Sequence, residues 1–379
     1  MTATASVQET NTQTTLEVVD ADAHVVETEH TWDYMDPAEA KYRPKLIGAK
    51  DDETHQYWLI DGKIRGVRFP RLSQEEEREF SRQANRDITT PLEARELINV
   101  DIRLQHMDRI GVDVQVLHNT LFIEQLTTRP EVEVALCRSW NRWLADIWKQ
   151  GHGRLRWSCV LPTLSMPDAL DQLAFAQEHG ACAIVMRPLE SLDRLPYDPY
   201  FYPLYEEATR RDMAIALHLG NANPANVDMY RSPYDRGSGF TLFRVPTVAC
   251  AHALACSQVP ELFPKLRWGF IEVSAQWLPW IAHELARRLF NFSKKPEDVW
   301  GAYPFYVTCQ TDDDLPYILK YSGEDSLVIG TDYGHYDTSA ELDAILTFKE
   351  KTDITARAKE KILSTNPKRL YGLEQRGGG

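Results

Sequence analysis

Eight short, near-continuously apolar runs, each followed by a stretch of helical periodicity, set the tightest limit on what this chain can fold into. They are LEVVDADAH (16–24), VDVQVLHN (112–119), LRWSCVLP (155–162), CAIVMRP (182–188), MAIALHLG (213–220), LRWGFIEV (266–273), PFYVTCQ (304–310) and SLVIGTD (326–332). Runs without polar alternation are expected of parallel strands covered on both faces. Between them, 129–150, 167–180, 200–212 and 276–292 repeat apolar residues at three and four, with Pro near the start in two and Gly at the end of one. Eight strand-then-helix units predict an α/β fold, a (β/α)8 TIM barrel spanning residues 16–373.

Two segments exceed that frame. Residues 31–100 form an N-terminal insertion after strand one, with a hairpin, YWLIDGKIRGVRF (57–69), turning at Asp61 and Gly62. Residues 221–241 after strand five are long and polar, as a lid would be. Residues 1–15 are polar, with neither the basic nor the apolar region of a signal peptide, and read as a disordered tail; 374–379 read as a loose C-terminus.

In such barrels, chemistry is carried at the C-terminal ends of the strands. Strand one ends in Asp22 and His24, strand two in His118 and Asn119, and strand four in Arg187. Strand five ends in His218, strand six in Glu272 and strand seven in Gln310. Strand eight ends in Asp332, with His335 three residues on. Side chains two apart on a strand share a face, so Asp22 and His24 point together. Asp20 lies on the same face one layer deeper, as an orienting group. Imidazole nitrogen and carboxylate oxygen converging from four strand ends suit a divalent first-row metal. His252 in ACAHALAC is a further candidate ligand, although a histidine in a helical pattern is as readily structural.

Asp22, His24, His218, His252, Glu272, Asp332 and His335 give seven candidate metal ligands. Asp332, Glu272 and His335 are also the candidate catalytic groups, the last two with alternative roles as an orienting group and a substrate contact. Arg187 is placed either to clamp a substrate carboxylate or to pair with an acidic neighbour. His118 and Gln310 are candidate substrate contacts. Glu27 is a candidate supporting group, and Asp337 or Thr338 a candidate N-cap for the helix that follows.

The formal net charge of −14 argues against a nucleic-acid or anionic-membrane partner. No stretch approaches the ~20 apolar residues of a membrane span. Six cysteines without a CxxC pair, mostly in apolar runs, read as reduced core residues of a cytoplasmic protein. The aromatic-rich SWNRWLADIW (139–148) reads as core packing or as an interface, with a homo-oligomer or a related barrel subunit as the expected partner.

The chain resembles the amidohydrolase superfamily, in the branch that includes aminocarboxymuconate semialdehyde decarboxylase. DADAHVVE, GVDVQVL, ALH, FPKLRWGFIEVSAQWLPW and VIGTDYGH carry the resemblance over about residues 16–373. It implies a deformed barrel holding a divalent metal. His24 matches the second His of the branch's strand-one HxH, and Asp22 stands where the first would be. His218 matches the strand-five ligand, and Asp332 the strand-eight ligand or general base. Two departures stand out. Glu272 occupies the place of the strand-six His that handles protons in decarboxylases of the branch, a departure that argues against a decarboxylase. The strand-four run also has no Lys to be carbamylated as a metal bridge.

Three functions follow as expectations. The surplus of ligands points first to two metals, iron or manganese, and to an O2-dependent monooxygenase hydroxylating an aliphatic C–H bond of a small carboxylate-bearing substrate, resembling aminoisobutyrate hydroxylase. The alternative is a mononuclear zinc or manganese hydrolase or decarboxylase acting on a small carboxylic acid. A non-catalytic partner barrel is the third, and the intact strand-end ligands argue against it.

Overall fold

The computed structural model describes residues 16–48, 56–68, 72–230, 237 and 239–374. The tail 1–15, His55 in the insertion, residues 231–236 and 238 of the polar loop, and 375–379 lie outside the described residues. β1 (Val19–His24) is followed by a small antiparallel sheet of β2 (Lys45–Ile47), β3 (Tyr57–Ile60) and β4 (Lys63–Val67). The turn between β3 and β4 falls at Asp61 and Gly62, both at positive φ (50° and 74°), which suits the short Asp-Gly connection. β2 pairs with β3 through Lys45–Leu59, Leu46–Trp58 and Ile47–Tyr57, a third strand the hairpin pattern did not announce. A helix at Gln74–Ala84 completes the insertion's charged stretch.

The barrel resumes with β5 (Val114–His118), β6 (Leu155–Cys159), β7 (Ala181–Met186), β8 (Ala214–His218), β9 (Trp268–Ile271), β10 (Phe305–Cys309) and β11 (Leu327–Ile329). With β1 they form one eight-stranded parallel sheet in the order β1-β5-β6-β7-β8-β9-β10-β11. The ends meet through His24 N to Tyr333 O and Asp332 N to Asp22 O, both 2.9 Å, so the barrel is nearly closed. Seven of the eight strands are buried throughout and β10 at every position but one, and this is why their sequences lack alternation. Gly330 permits the seam. A Cβ there would lie 2.2 Å from that of Asp22.

Helices cover the barrel where the periodicity placed them, at Pro130–Gln150, Met166–Glu178, Tyr202–Arg210 and Leu278–Phe290. In the first, Trp140 and Trp143 are fully buried, so the aromatic-rich stretch packs inward rather than forming a bare apolar face. The long polar segment holds a helix at Pro224–Tyr230 and a π-turn at Phe240–Arg244, more structure than a loop. All six cysteines are free, and five are buried. No helix among the described residues is long and apolar enough to cross a membrane.

Candidate metal centre

The C-terminal ends of β1, β8, β9 and β11 deliver their side chains into one buried cluster. Asp22 and His24 come from β1, His218 ends β8, Glu272 follows β9, and Asp332 and His335 follow β11. A bulge in β1 between Asp20 and Ala23 interrupts the register there, and Asp22 and His24 still converge. His24 Nε2 lies 3.4 Å from Asp22 Oδ1, 3.4 Å from Asp332 Oδ1 and 3.9 Å from Glu272 Oε2. His218 Nε2 lies 3.3 Å from Asp22 Oδ1 and 3.6 Å from Glu272 Oε2. Two overlapping groups have donor atoms all within 4.8 Å of one another: His24, Glu272, Asp332 and His335, and Asp22, His24 and His218.

Backbone carbonyls fix the two imidazoles that face this centre. His24 Nδ1 sits 2.9 Å from Asn119 O and His218 Nδ1 3.2 Å from Leu219 O. A carbonyl only accepts, so each Nδ1 carries the proton and each Nε2 presents a lone pair inward, the form that ligates metal. His24 Nε2 and both oxygens of Asp332 are buried with no hydrogen-bond partner. Orphaned buried donors of this kind cost free energy unless something binds them. Nitrogen and carboxylate donors converging with bare lone pairs fit a divalent metal ion.

The charges point the same way. Burial, then the neighbouring Asp332 charge, pushes the Glu272 carboxyl well above its usual range. Burial, then Asp337 and Asp22, does the same to Asp332. Three acids this close repel one another, and a cation offsets their charge. Glu272 and Asp332 also hold positive φ, 63° and 49°, a backbone strain that tends to gather at functional sites. Asp313 steadies the Glu272 segment by accepting from Ser274 Oγ (2.6 Å) and Ala275 N (2.9 Å).

Three expectations from the sequence change here, and a fourth is decided. His252, expected among the ligands, lies on the helix Val245–Ala255 in a separate cleft with Val248, Trp277, Trp280 and Glu284, its Nε2 3.8 Å from Cys256 Sγ. That helix is apolar nearly all round, so no stripe in its sequence tells which side faces the barrel. Arg187, open between clamping substrate and pairing with an acid, takes the second course: it pairs with Glu190 and donates to the carbonyls of Phe122 (3.2 Å) and Glu124 (3.3 Å), so it staples loops together. Gln310 is half-buried and is not among the described residues lining the cavity at the cluster; its backbone N–H donates to Asp313 (2.9 Å). Asp337 does not cap a helix, since the next begins at Ala344; it reaches Glu272 and Asp332 from the cavity mouth instead.

His118 adjoins the cluster, its ring 5.1 Å from that of His218, but both nitrogens are engaged, with Ala21 O (3.3 Å) and Ser158 Oγ (2.8 Å). His106, on the helix Val100–Ile110, is buried as well, its Nδ1 2.6 Å from Tyr333 Oη. A cavity of about 770 Å³ opens on the cluster at His335 and Asp337. Its walls are largely apolar and come in part from the insertion: Tyr57, Trp58, Ile64, Arg65 and Phe80. Arg65 forms no hydrogen bond or ion pair among the described residues, and its Nε is buried. Sequence reasoning missed Arg65 because the hairpin's orientation over the barrel is not written in its periodicity.

The amidohydrolase family profile matches residues 19–373. No curated protein matches the sequence. Among solved structures, an amidohydrolase of Mycobacterium avium subsp. paratuberculosis K-10 aligns with TM-score 0.77 and 16% identity over 94% of this chain and all of that one. The 5-carboxyvanillate decarboxylase of Sphingomonas paucimobilis aligns with TM-score 0.63 and 16% identity, covering 94% and 99%. A dihydroxybenzoic acid decarboxylase of Polaromonas sp. JS666, with bound manganese and the inhibitor 2-nitroresorcinol, aligns with TM-score 0.61 and 17% identity, covering 94% and 97%. A nearly closed parallel barrel, strand-end donors built for a divalent metal and a profile match over almost the whole chain lead to one conclusion: the chain belongs to the amidohydrolase family and is a metal-dependent enzyme of that superfamily.

Proposed function

We propose that the enzyme is a decarboxylase of a small carboxylic acid working with one divalent ion, zinc or manganese. The carrying observation is the spacing of the donors. Ligands on one tetrahedral ion with bonds of ~2.1 Å stand about 3.4 Å apart, and the five contacts among His24, His218, Asp22, Glu272 and Asp332 run from 3.3 to 3.9 Å. His24, His218, Asp22 and Asp332 would hold the ion, with His335 beside Asp332 at 2.8 Å. A bound divalent ion supplies positive charge that draws electron density from the substrate. Arg65 brings a guanidinium, its Nε buried without a partner, to a largely apolar cavity wall and would orient a carboxylate. Glu272 takes the proton-handling place of the branch's strand-six His: as the carbon–carboxylate bond breaks and CO2 leaves, the electron pair kept by the carbon takes a proton from Glu272. Decarboxylases of similar fold, one holding manganese, support this reading.

One observation favours a second reading. Six donor groups exceed the three or four that one ion with an open site takes, and they fall into two sets sharing His24. That division favours two iron or manganese ions and O2-dependent hydroxylation. With His252 in another cleft, the surplus behind this reading is smaller. A panel of aromatic and aliphatic carboxylic acids, assayed anaerobically for CO2 release and aerobically for O2 uptake, separates the two. CO2 release without O2 supports decarboxylation; O2 uptake coupled to a hydroxylated product, with no CO2, rejects it.

A further inference from the structure

We infer that the enzyme takes a carboxylic acid whose apolar body is larger than one ring, and that Ile64 and Phe80 of the insertion set this specificity from the outer wall of the cavity. The inference rests on the decarboxylase reading above and narrows its substrate to a class.

The size of the cavity and the chemistry of its wall carry the argument. Cavities of ~300–1,000 Å³ enclose drug-sized ligands, so one of about 770 Å³ has room that a one-ring acid leaves empty. Its polar end is at His335 and Asp337. Tyr57, Ile64 and Phe80 line it as well and are 38%, 61% and 44% exposed, so they form its outer wall. Apolar surface held against water is unfavourable, and a ligand body laid on it recovers that free energy. Arg65 follows Ile64 on β4, so one strand brings both the group that orients a carboxylate and the group that receives the apolar body.

This wall is fixed to the barrel. Trp58 is buried and meets Trp32 edge to face, with centroids 5.9 Å apart and planes at 85°. Asp61 at the hairpin turn accepts from Thr127 Oγ1 at 2.7 Å. A Cβ on Gly66 would lie 2.8 Å from Leu121 Cδ1, so the hairpin backbone passes close against the loop after β5. Phe80 is the one large apolar side chain of the helix Gln74–Ala84, and it lies on the cavity instead of in the core. Tyr336, next to His335 in the chain, donates to Glu77 of that helix at 2.6 Å. Its ring lies 6.5 Å from that of Phe80, with planes 12° apart. The wall therefore continues from the metal cluster through Tyr336 to Phe80.

The test is calorimetric titration of the full chain, with Mn2+ added, by benzoate and by biphenyl-4-carboxylate. The two-ring acid should bind about 10–100-fold more tightly, the gain from burying one further ring. The double variant Ile64→Ser with Phe80→Ala should cut that ratio to below about 3-fold. Both side chains are exposed, so the variant should fold as the parent does. Trp280→Ser, in the separate cleft beside His252, should keep the parent's ratio. A ratio near one, or no binding of either acid, overturns the inference. So does a ratio that survives in the double variant, or one that is lost in Trp280→Ser. Binding needs no turnover, so a chain that releases no CO2 rejects the decarboxylase reading and leaves this result standing. A ratio near one, in turn, leaves that reading standing for one-ring acids.

Discussion

Two layers of the barrel, two residues apart on β1, hold the same kinds of side chain and treat them differently. In the deeper layer, Asp20 accepts from Thr331 N (2.9 Å), Thr331 Oγ1 (2.6 Å), Gln115 Nε2 (2.9 Å) and Asp22 N (3.3 Å). Gln115 in turn accepts from Arg103 Nε at 2.7 Å, and the Arg103 guanidinium lies 3.5 Å over the Tyr333 ring. The Asp20 carboxylate is thus saturated by protein groups and fastens β1 to β5 and to the β11 end. In the layer above, His24 Nε2 and both Asp332 oxygens find no hydrogen-bond partner. The contrast separates structure from chemistry at this end of the barrel: the carboxylate satisfied by neighbouring donors holds the strands, and the nitrogen and carboxylate acceptors that converge without partners form the ligand set.

The comparison breaks most sharply if the upper layer is touched. His24→Ala and Asp332→Ala should each lower turnover by at least ~10³-fold and abolish tight metal binding. Thermal unfolding of the metal-free proteins should change little or rise, because an uncompensated buried group is removed. Steady-state assays with metal analysis check the first expectation and calorimetry the second. In the lower layer, Asp20→Ala should do the reverse: a loss of about 2–4 kcal/mol in urea unfolding, from stranded Thr331 and Gln115 donors, with the folded fraction still binding metal. Equal metal loss in both layers would erase the distinction.

Smaller changes sharpen it. Arg65→Ala should raise KM for a carboxylate substrate by about 10–100-fold, as one charge-assisted pair is worth ~1.5–3 kcal/mol, and leave metal content unchanged. His252→Ala should alter neither metal content nor turnover. His106 supplies a pH test. Burial holds its imidazole down at about 4 from 6.5, so its neutral form favours the fold above 6.5, and that contribution is lost as pH falls toward 4. The stability difference between the parent and His106→Gln should therefore shrink over that window by up to one proton's slope. A difference independent of pH would show that His106 is not held neutral.

The barrel was legible because each strand is buried on both sides and so writes itself as an unbroken apolar run, and the insertion hairpin because Asp61 and Gly62 suit a tight turn. Asp22, His24, His218, Glu272, Asp332 and His335 were legible from their places at or just past strand ends, where a barrel gathers its side chains. Direction around a helix axis was not, which is why His252 was assigned to the wrong side. Arg187 carried a warning in Glu190 three residues on, a spacing that pairs readily. Asp337 had a weaker one: it stands two residues beyond His335, in the same turn-rich segment after β11. Arg65 had none, since only the packing of the insertion over the barrel mouth brings it to the cavity.

The most direct test of the central claim is the metal content of chain purified without chelators, measured beside His24→Ala and Asp332→Ala. One divalent ion per chain in the parent, and none in either variant, is the predicted result. Two ions per chain, or full retention of metal in either variant, would contradict it.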